Sequence, residues 1–320
     1  MSTGRRKALA EWITSRQNPL TARVAVNHIW AWHFQEPLVR TVYDFGRSGA
    51  KPTHPELLDW LAVEFMESGW SMKHLHRLIV TSEAYRRSST VGDDVRSLTS
   101  TRTSKPGTQK QSQRLLTSSP TREKLDPENK YLWRMNPGRM EAEVLRDSVL
   151  RLAGELDGRM GGQELENTEM PASRRRSLYF ACYPEDGGKG EFTGLFDAPD
   201  ANECYRRTRS IVPQQALALT NSKFTHDESA TLAKHLGRIP NANPANPDPT
   251  VFITAAYEQI LTRPPSRAEL AECVAFLQRQ TLLLQTQAGK DQTAASQAAG
   301  RARESLVRAL LNHNDFVTVR

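Results

Sequence analysis

The sequence predicts a mainly α fold: a multi-helix assembly with a small amount of β structure and long irregular loops. Three features point there. Apolar residues recur at three-to-four-residue spacing through long segments that open on Ser, Thr, Asn or Pro and close near Gly. A single run, RRSLYFACYP at 175–184, alternates as a strand does. Between the periodic segments lie stretches rich in Gly, Pro, Ser and Asn. With 320 residues and 38% hydrophobic content, the chain is long enough to bury two compact cores.

The first helices fall within 18–85. In NPLTARVAVNHIWAWHF, Leu20, Val24, Ala31 and Phe34 form the expected buried stripe, with Asn18 as N-cap and Pro19 in the first turn. Arg23, Asn27 and Trp30 share a second stripe, unusual company for a solvent face. A middle helix is expected from Thr53-His54-Pro55 to Gly69, turning Leu57, Leu58, Leu61, Ala62 and Phe65 inward. A third follows Ser71 and buries Leu75, Leu78 and Ile79. The intervening loop VYDFGRSGAKPTHP carries Asp44, Arg47 and His54. Folded back, it would meet the Arg23/Asn27 stripe, either as a structural hydrogen-bond network or as a ligand site.

Charge is concentrated in one place. The net +7 comes almost wholly from 86–124, which holds nine Lys/Arg against three Asp/Glu among many Ser and Thr. Too few apolar residues are present there to offset the entropy of ordering, so a disordered basic linker or insertion is expected. Without interleaved aromatics it argues against a nucleic-acid surface. The cysteines, Cys182, Cys204 and Cys273, form no C-x-x-C or C-x-x-C-H pattern, so no haem attachment, zinc knuckle or redox dithiol is expected. Nor does any histidine pair have the spacing that places two imidazoles on one helical face.

Beyond the linker, Tyr131, Leu132 and Trp133 precede a helix expected over 139–156, with Met140, Val144, Leu145, Leu152 and Leu156 in the core. On it Glu143 and Asp147 share a face, as an acid/base pair or as partners of Arg139, Arg146 and Arg151. The segment FDAPDANECYRRTRSIVPQQALALTN places Asp197, Asp200, Arg206 and Arg207 before a helix from Pro213 to Asn221 that buries Ala216, Leu217 and Leu219. That cluster suits a polar ligand or an internal Asp–Arg clasp. Helix continues to His235, a Pro/Asn linker spans 237–250, and VFITAAYEQILTR turns Phe252, Ala256, Ile260 and Leu261 inward. Ser266 to Glu269 reads as a capping box opening a long helix through Val274, Leu277 and Leu282. QAGKDQTAASQAAG is expected as loop or frayed helix, and a terminal helix ends near Asn312. The expected organisation is an N-terminal helical subdomain (1–85), the linker (86–124), a central part (125–236) packing on 1–85, the Pro/Asn linker, and a C-terminal helical subdomain (251–320).

The runs RRKALAEWITSRQNPLTARVAVNHIWAWHF, HPELLDWLA, GWSMKHLHRLIVTSEAY, DPENKYLWRMNPGRMEAEVLRDSVL, FDAPDANECYRRTRSIVPQQALALTN and ALLNHNDFVTV resemble a planctomycete-specific domain of unknown function. That domain lies at the C-terminal end of large cytochrome c-associated proteins. The resemblance implies no established activity. It implies c-type cytochrome-bearing or other family-associated domains as partners, with haem held only on a partner or upstream domain. Two departures stand out: His28, where the family usually has Arg, and NPGRMEAE at 136–143, where it usually has an arginine-rich run.

The expected function is therefore a noncatalytic binding or scaffold module beside cytochrome-associated or carbohydrate-processing partners, with polysaccharide as a further partner. Five of the six tryptophans precede residue 71, and exposed aromatics suit sugar stacking. The alternative is a hydrolase with dispersed Arg, Asp and His residues. Candidate site residues are Arg23, Asn27, Asp44, His54, Asp197, Asp200, Arg206 and Arg207, with no metal. No segment is apolar enough to span a bilayer. The start carries charge without an apolar leader, which points to the cytoplasm, while the resemblance points to export.

Overall fold

The computed structural model describes residues 4–89, 119–185, 187–202, 207, 210–238, 248–289 and 291–319. Among them the fold is mainly α, with a two-stranded sheet of β1 (Gly138–Arg139) and β2 (Thr318–Val319). The chain clusters into two compact units, residues 1–138 and 139–319.

The first unit contains α1 (Arg5–Ile13), α2 (Thr21–Phe34), α3 (Pro55–Glu67), α4 (Met72–Val80) and α5 (Ser119–Leu125). Asn18 caps α2, accepting from the amides of Leu20 at 2.9 Å and Thr21 at 3.4 Å, so regular helix starts at Thr21. The buried stripe of α2 is Ala22, Val26, Asn27, Trp30 and Phe34, and the expected Leu20 faces solvent. The reason is area: Trp30 and Phe34 stack at 4.2 Å, and two large rings one turn apart outweigh Leu20 and Val24 in choosing the inner face. Pro55 opens α3, and Gly69 (φ 71°) reverses the chain so that Trp70 N–H reaches Phe65 O at 2.9 Å. Leu58, Leu61, Ala62 and Phe65 are its core residues. Ser71 caps α4, which buries Leu75 and Ile79. The expected linker falls mostly on residues outside those described, but its last part is helical, in α5. Residues 126–136 then close the unit: Asn129 donates to Arg134 O and Asn136 Oδ1, and Asn136 donates to Phe34 O at 2.9 Å, satisfying a carbonyl at the end of α2.

The second unit contains α6 (Ala142–Ala153), α7 (Glu191–Leu195), α8 (Pro213–Asn221), α9 (Lys223–Leu236), α10 (Pro249–Leu261), α11 (Arg267–Ala288), α12 (Gln292–Leu311) and α13 (Asn314–Val317). One core runs from Leu145 and Val149 on α6 through Leu232 on α9 to Ile253 on α10 and Val307 on α12, so 139–236 and 251–317 share a hydrophobic interior. The frame of α6 differs from expectation. Leu145, Val149, Leu150 and Ala153 are buried and Val144 is exposed, because Arg146 also occupies the inner face, where a hydropathy pattern does not place a charge. The expected strand at 175–184 is instead a 3₁₀ turn, Ser177–Tyr179, next to the isolated bridges Asp157–Arg175 and Leu165–Phe180. Asp147 accepts both the amide and the hydroxyl of Ser177, so the donor that a strand would pair is already used.

Ser222, in extended conformation, ends α8 and caps α9, breaking the continuous helix expected there. Gln215 and Leu219 are the buried positions of α8, while Leu217 is exposed. The capping box at Ser266 and Glu269 is present. Most of QAGKDQTAASQAAG is helix rather than loop: Asp291 accepts from Thr293 and Ala294 amides, and Ala298 and Ala302 pack inward from α12. Of the residues expected along the long helix, Leu277 is buried and Leu282 is exposed on α11.

Candidate functional site

Most of the sequence-selected polar residues fasten their own neighbourhood. Arg23 donates to Asp59 on α3 at 2.6 Å and to Pro19 O at 2.7 Å; the hydrogen bond from Arg23 holds the Asp59 carboxyl below its ordinary value. Asn27, fully buried, clamps one residue of the following loop: it donates to Val39 O at 3.0 Å and accepts from Val39 N–H at 2.8 Å. Asp44 turns its loop by accepting from Gly46 N–H at 2.8 Å. The Asp44 and His54 loop and the Arg23/Asn27 stripe thus belong to one unit, yet each residue has a separate partner.

In the second unit Asp197, at φ 59°, accepts from the amide and hydroxyl of Ser210. Asp200 accepts from Asn202 N–H. Arg207 pairs with Glu143 at 3.0 Å and Glu141 at 3.6 Å rather than with either aspartate. Arg206 lies outside the described residues. Glu143 and Asp147 do not form a carboxylate pair, because Glu143 turns to Arg207 and Asp147 to Ser177.

A residue not selected as a site is the most deeply placed charge. Arg146 is 1% exposed and donates to Arg175 O, Ser177 Oγ, Met170 O and Ser173 O, with its guanidinium 5.2 Å from the Phe180 ring centroid. Burial lowers its pKa, with Asp147 opposing. Nearby Arg174 reaches the buried Glu228 at 3.1 Å, whose carboxyl burial pushes upward. This network fixes the 170–177 loop on α6. Beside it a cavity of about 250 Å³ is lined by Glu141, Glu143, Asn167, Cys182, Lys189 and Arg207, among others.

The larger opening is a cleft of about 660 Å³ wholly within the first unit. Its floor is Trp30, Leu61 and Ile79; its rim carries Trp60, Tyr131, His54, Arg40, Arg87 and Glu128. Of the selected residues, His54 alone lines this cleft. It sits just before α3, its Nδ1 3.0 Å from Thr53 Oγ1 and its ring edge-on to Tyr131 at 5.6 Å. Trp60 is 49% and Tyr131 74% exposed, so both aromatic side chains are accessible at the rim. Lys130 lies 2.9 Å from Glu128 and, with a smaller contribution from Arg40, holds the Glu128 carboxyl below its ordinary value.

Sequence reasoning missed Trp60 and Tyr131, although one signal was present. Trp60 follows Asp59 on the polar side of α3, a costly place for an indole unless something covers it. It also missed a histidine pair made across helices: His33 Nε2 lies 2.7 Å from His76 Nδ1. Among the described residues no group of three or more His, Cys, Asp and Glu is arranged to hold a metal ion.

The family described as PSD1, protein of unknown function (DUF1553), matches residues 5–277. The chain belongs to the PSD1 family. No curated protein and no solved structure is similar to this PSD1 chain. Among its described residues no helix is long and apolar enough to cross a membrane.

Proposed function

We propose that this PSD1 chain is a noncatalytic binding module that takes a saccharide in the cleft of its first unit, beside a cytochrome-bearing or carbohydrate-processing partner domain. The observation that carries the reading is the pair of exposed aromatic side chains, Trp60 and Tyr131, on the rim of a cleft of about 660 Å³ whose lining includes both apolar and polar groups. Sugars present just such a surface: C–H faces that stack on rings, and hydroxyls that need donors and acceptors at the edge. The engagement of Arg23 with Asp59 and of Asn27 with Val39 supports a structural role for these two residues rather than a catalytic one. The planctomycete setting and the cytochrome partner rest on the resemblance of the motifs.

The test is a titration of the full chain with a panel of oligosaccharides, read by intrinsic tryptophan fluorescence and calorimetry. Binding is expected for at least one glycan, and Trp60→Ala is expected to weaken it by about tenfold, the scale of one lost stacking face. Because Trp60 is half exposed, its removal leaves the fold intact, which circular dichroism verifies. Absence of binding across neutral and acidic glycans would sink the reading.

A further inference from the structure

Resting on the reading of the cleft as a saccharide site, we infer that its ligand is an acidic sugar, with a uronate carboxylate or a sulfate ester held by Arg40. The charges around the rim single out this residue. Lys130 and Glu128 face each other at 2.9 Å and largely cancel, and Glu36 adds a second carboxylate to the lining, so Arg40 and Arg87 leave the cleft with a single net positive charge. Arg87 directs a guanidinium nitrogen to Leu132 O at 2.7 Å and is thereby committed to the loop that carries Tyr131. The Arg40 guanidinium makes no hydrogen bond or ion pair among the described residues, and its field reaches Glu128.

An unengaged arginine on a mobile surface loop would mean little; Arg40 is on a fixed one. Its predecessor Val39 is 2% exposed and held at both backbone groups by Asn27, inside the core of α2. Leu38, one residue earlier, is also 2% exposed and its carbonyl accepts from Thr53 N–H at 2.9 Å. Arg40 O accepts from Val42 N–H at 3.0 Å. The backbone on either side is therefore set before any ligand arrives, and a planar guanidinium stands at the edge of an aromatic cleft. That fork matches the two oxygens of a carboxylate or sulfate, while the sugar ring attached to them rests on Trp60 or Tyr131. Asn27 acts in this arrangement as a positioning residue: it touches no ligand and fixes the chain next to the one that does.

The experiment compares three tetrasaccharides on the full chain by calorimetry: an oligogalacturonate, a sulfated galactan and a neutral galactan, each at low and at raised salt. At least one acidic sugar is expected to bind about tenfold or more tighter than the neutral one, with the advantage shrinking as salt rises. Arg40→Gln is expected to bring the acidic sugars down to the affinity of the neutral one, whereas Trp60→Ala lowers all three. Whichever acidic arm is tighter identifies the carboxylate or the sulfate as the recognised group. Equal binding of neutral and acidic sugars, or an unchanged preference in Arg40→Gln, overturns the inference while leaving the saccharide reading in place. Failure of all three to bind overturns both.

Discussion

The two units treat their interior polar groups differently. In the first, Asn27 is the most deeply buried polar residue among those described, and both of its bonds go to a single neighbour, Val39, while a cleft of about 660 Å³ stays open in the same unit. In the second, Arg146 gathers carbonyls from Met170, Ser173 and Arg175 and draws a whole loop onto α6, with a cavity of about 250 Å³ beside that loop. A small neutral amide fixes one point of the chain and keeps its surroundings accessible. A guanidinium with several donors fixes many points at once.

The sharpest way to break this contrast is Arg146→Met. It removes a charge but leaves three carbonyls without their donor, while Asp147 keeps only its bonds from Ser177, and the expected loss is about 3–5 kcal/mol. Urea titration gives the energy, and limited proteolysis within 155–180 shows whether the loop is released. A loss under about 1 kcal/mol would mean that the loop is held by other contacts.

The same test on the first unit is Asn27→Leu, which leaves one amide and one carbonyl of Val39 buried and unpaired. About 2–3 kcal/mol is expected, less than for Arg146 because fewer groups are orphaned. It also loosens the backbone next to Arg40, so acidic-sugar affinity should fall in the same variant at temperatures where it remains folded.

Acid separates the units by a smaller effect. In the second, Arg263 holds the Glu269 carboxyl down to about 2, a depressed value, so its stabilisation is present above the ordinary carboxylate value of 4.5 and is lost as pH falls toward 2. In the first, burial and then His76 lower the pKa of His33, so neutral His33 supports the fold above the ordinary 6.5, and that support is lost as pH drops through the lowered value. Histidine resonances followed by NMR should show His33 titrating at lower pH than a free imidazole. Glu269→Gln should flatten the acid limb of a stability profile by about 1 kcal/mol at most, since the pair is partly solvated. A profile unchanged in Glu269→Gln would remove Arg263 from the account.

Much of the fold was legible in the sequence because caps and periodicity are local. Pro55, Gly69, Ser71 and the Ser266–Glu269 box mark helix ends from within a few residues of them. Faces were harder. The inner sides of α2 and α6 each include a polar residue, Asn27 and Arg146, whose partners lie 12 to 31 positions away, so the stripe chosen by apolar periodicity was rotated in both. The run at 175–184 alternates well but among the described residues meets only isolated bridge partners, Asp157 and Leu165, and alternation alone does not supply a strand. The cleft was least legible, since Trp60 and Tyr131 are 71 positions apart and meet one opening only through the closing bonds of Asn129 and Asn136. The stripe holding Asn27 did carry a true signal: a polar group placed inward, whose role is to fix the loop leading to Arg40.

The thiol of Cys273 has a practical consequence. It is buried on α11 beside the Tyr257 hydroxyl at 3.6 Å, and desolvation pushes it above the ordinary cysteine value, so almost no thiolate is available while the helices stay together. An alkylating reagent therefore meets Cys273 only when α10 and α11 part. The rate at which mass is added there, against the exposed Cys182 as an internal clock, reports how often the second unit breathes, without any engineered probe.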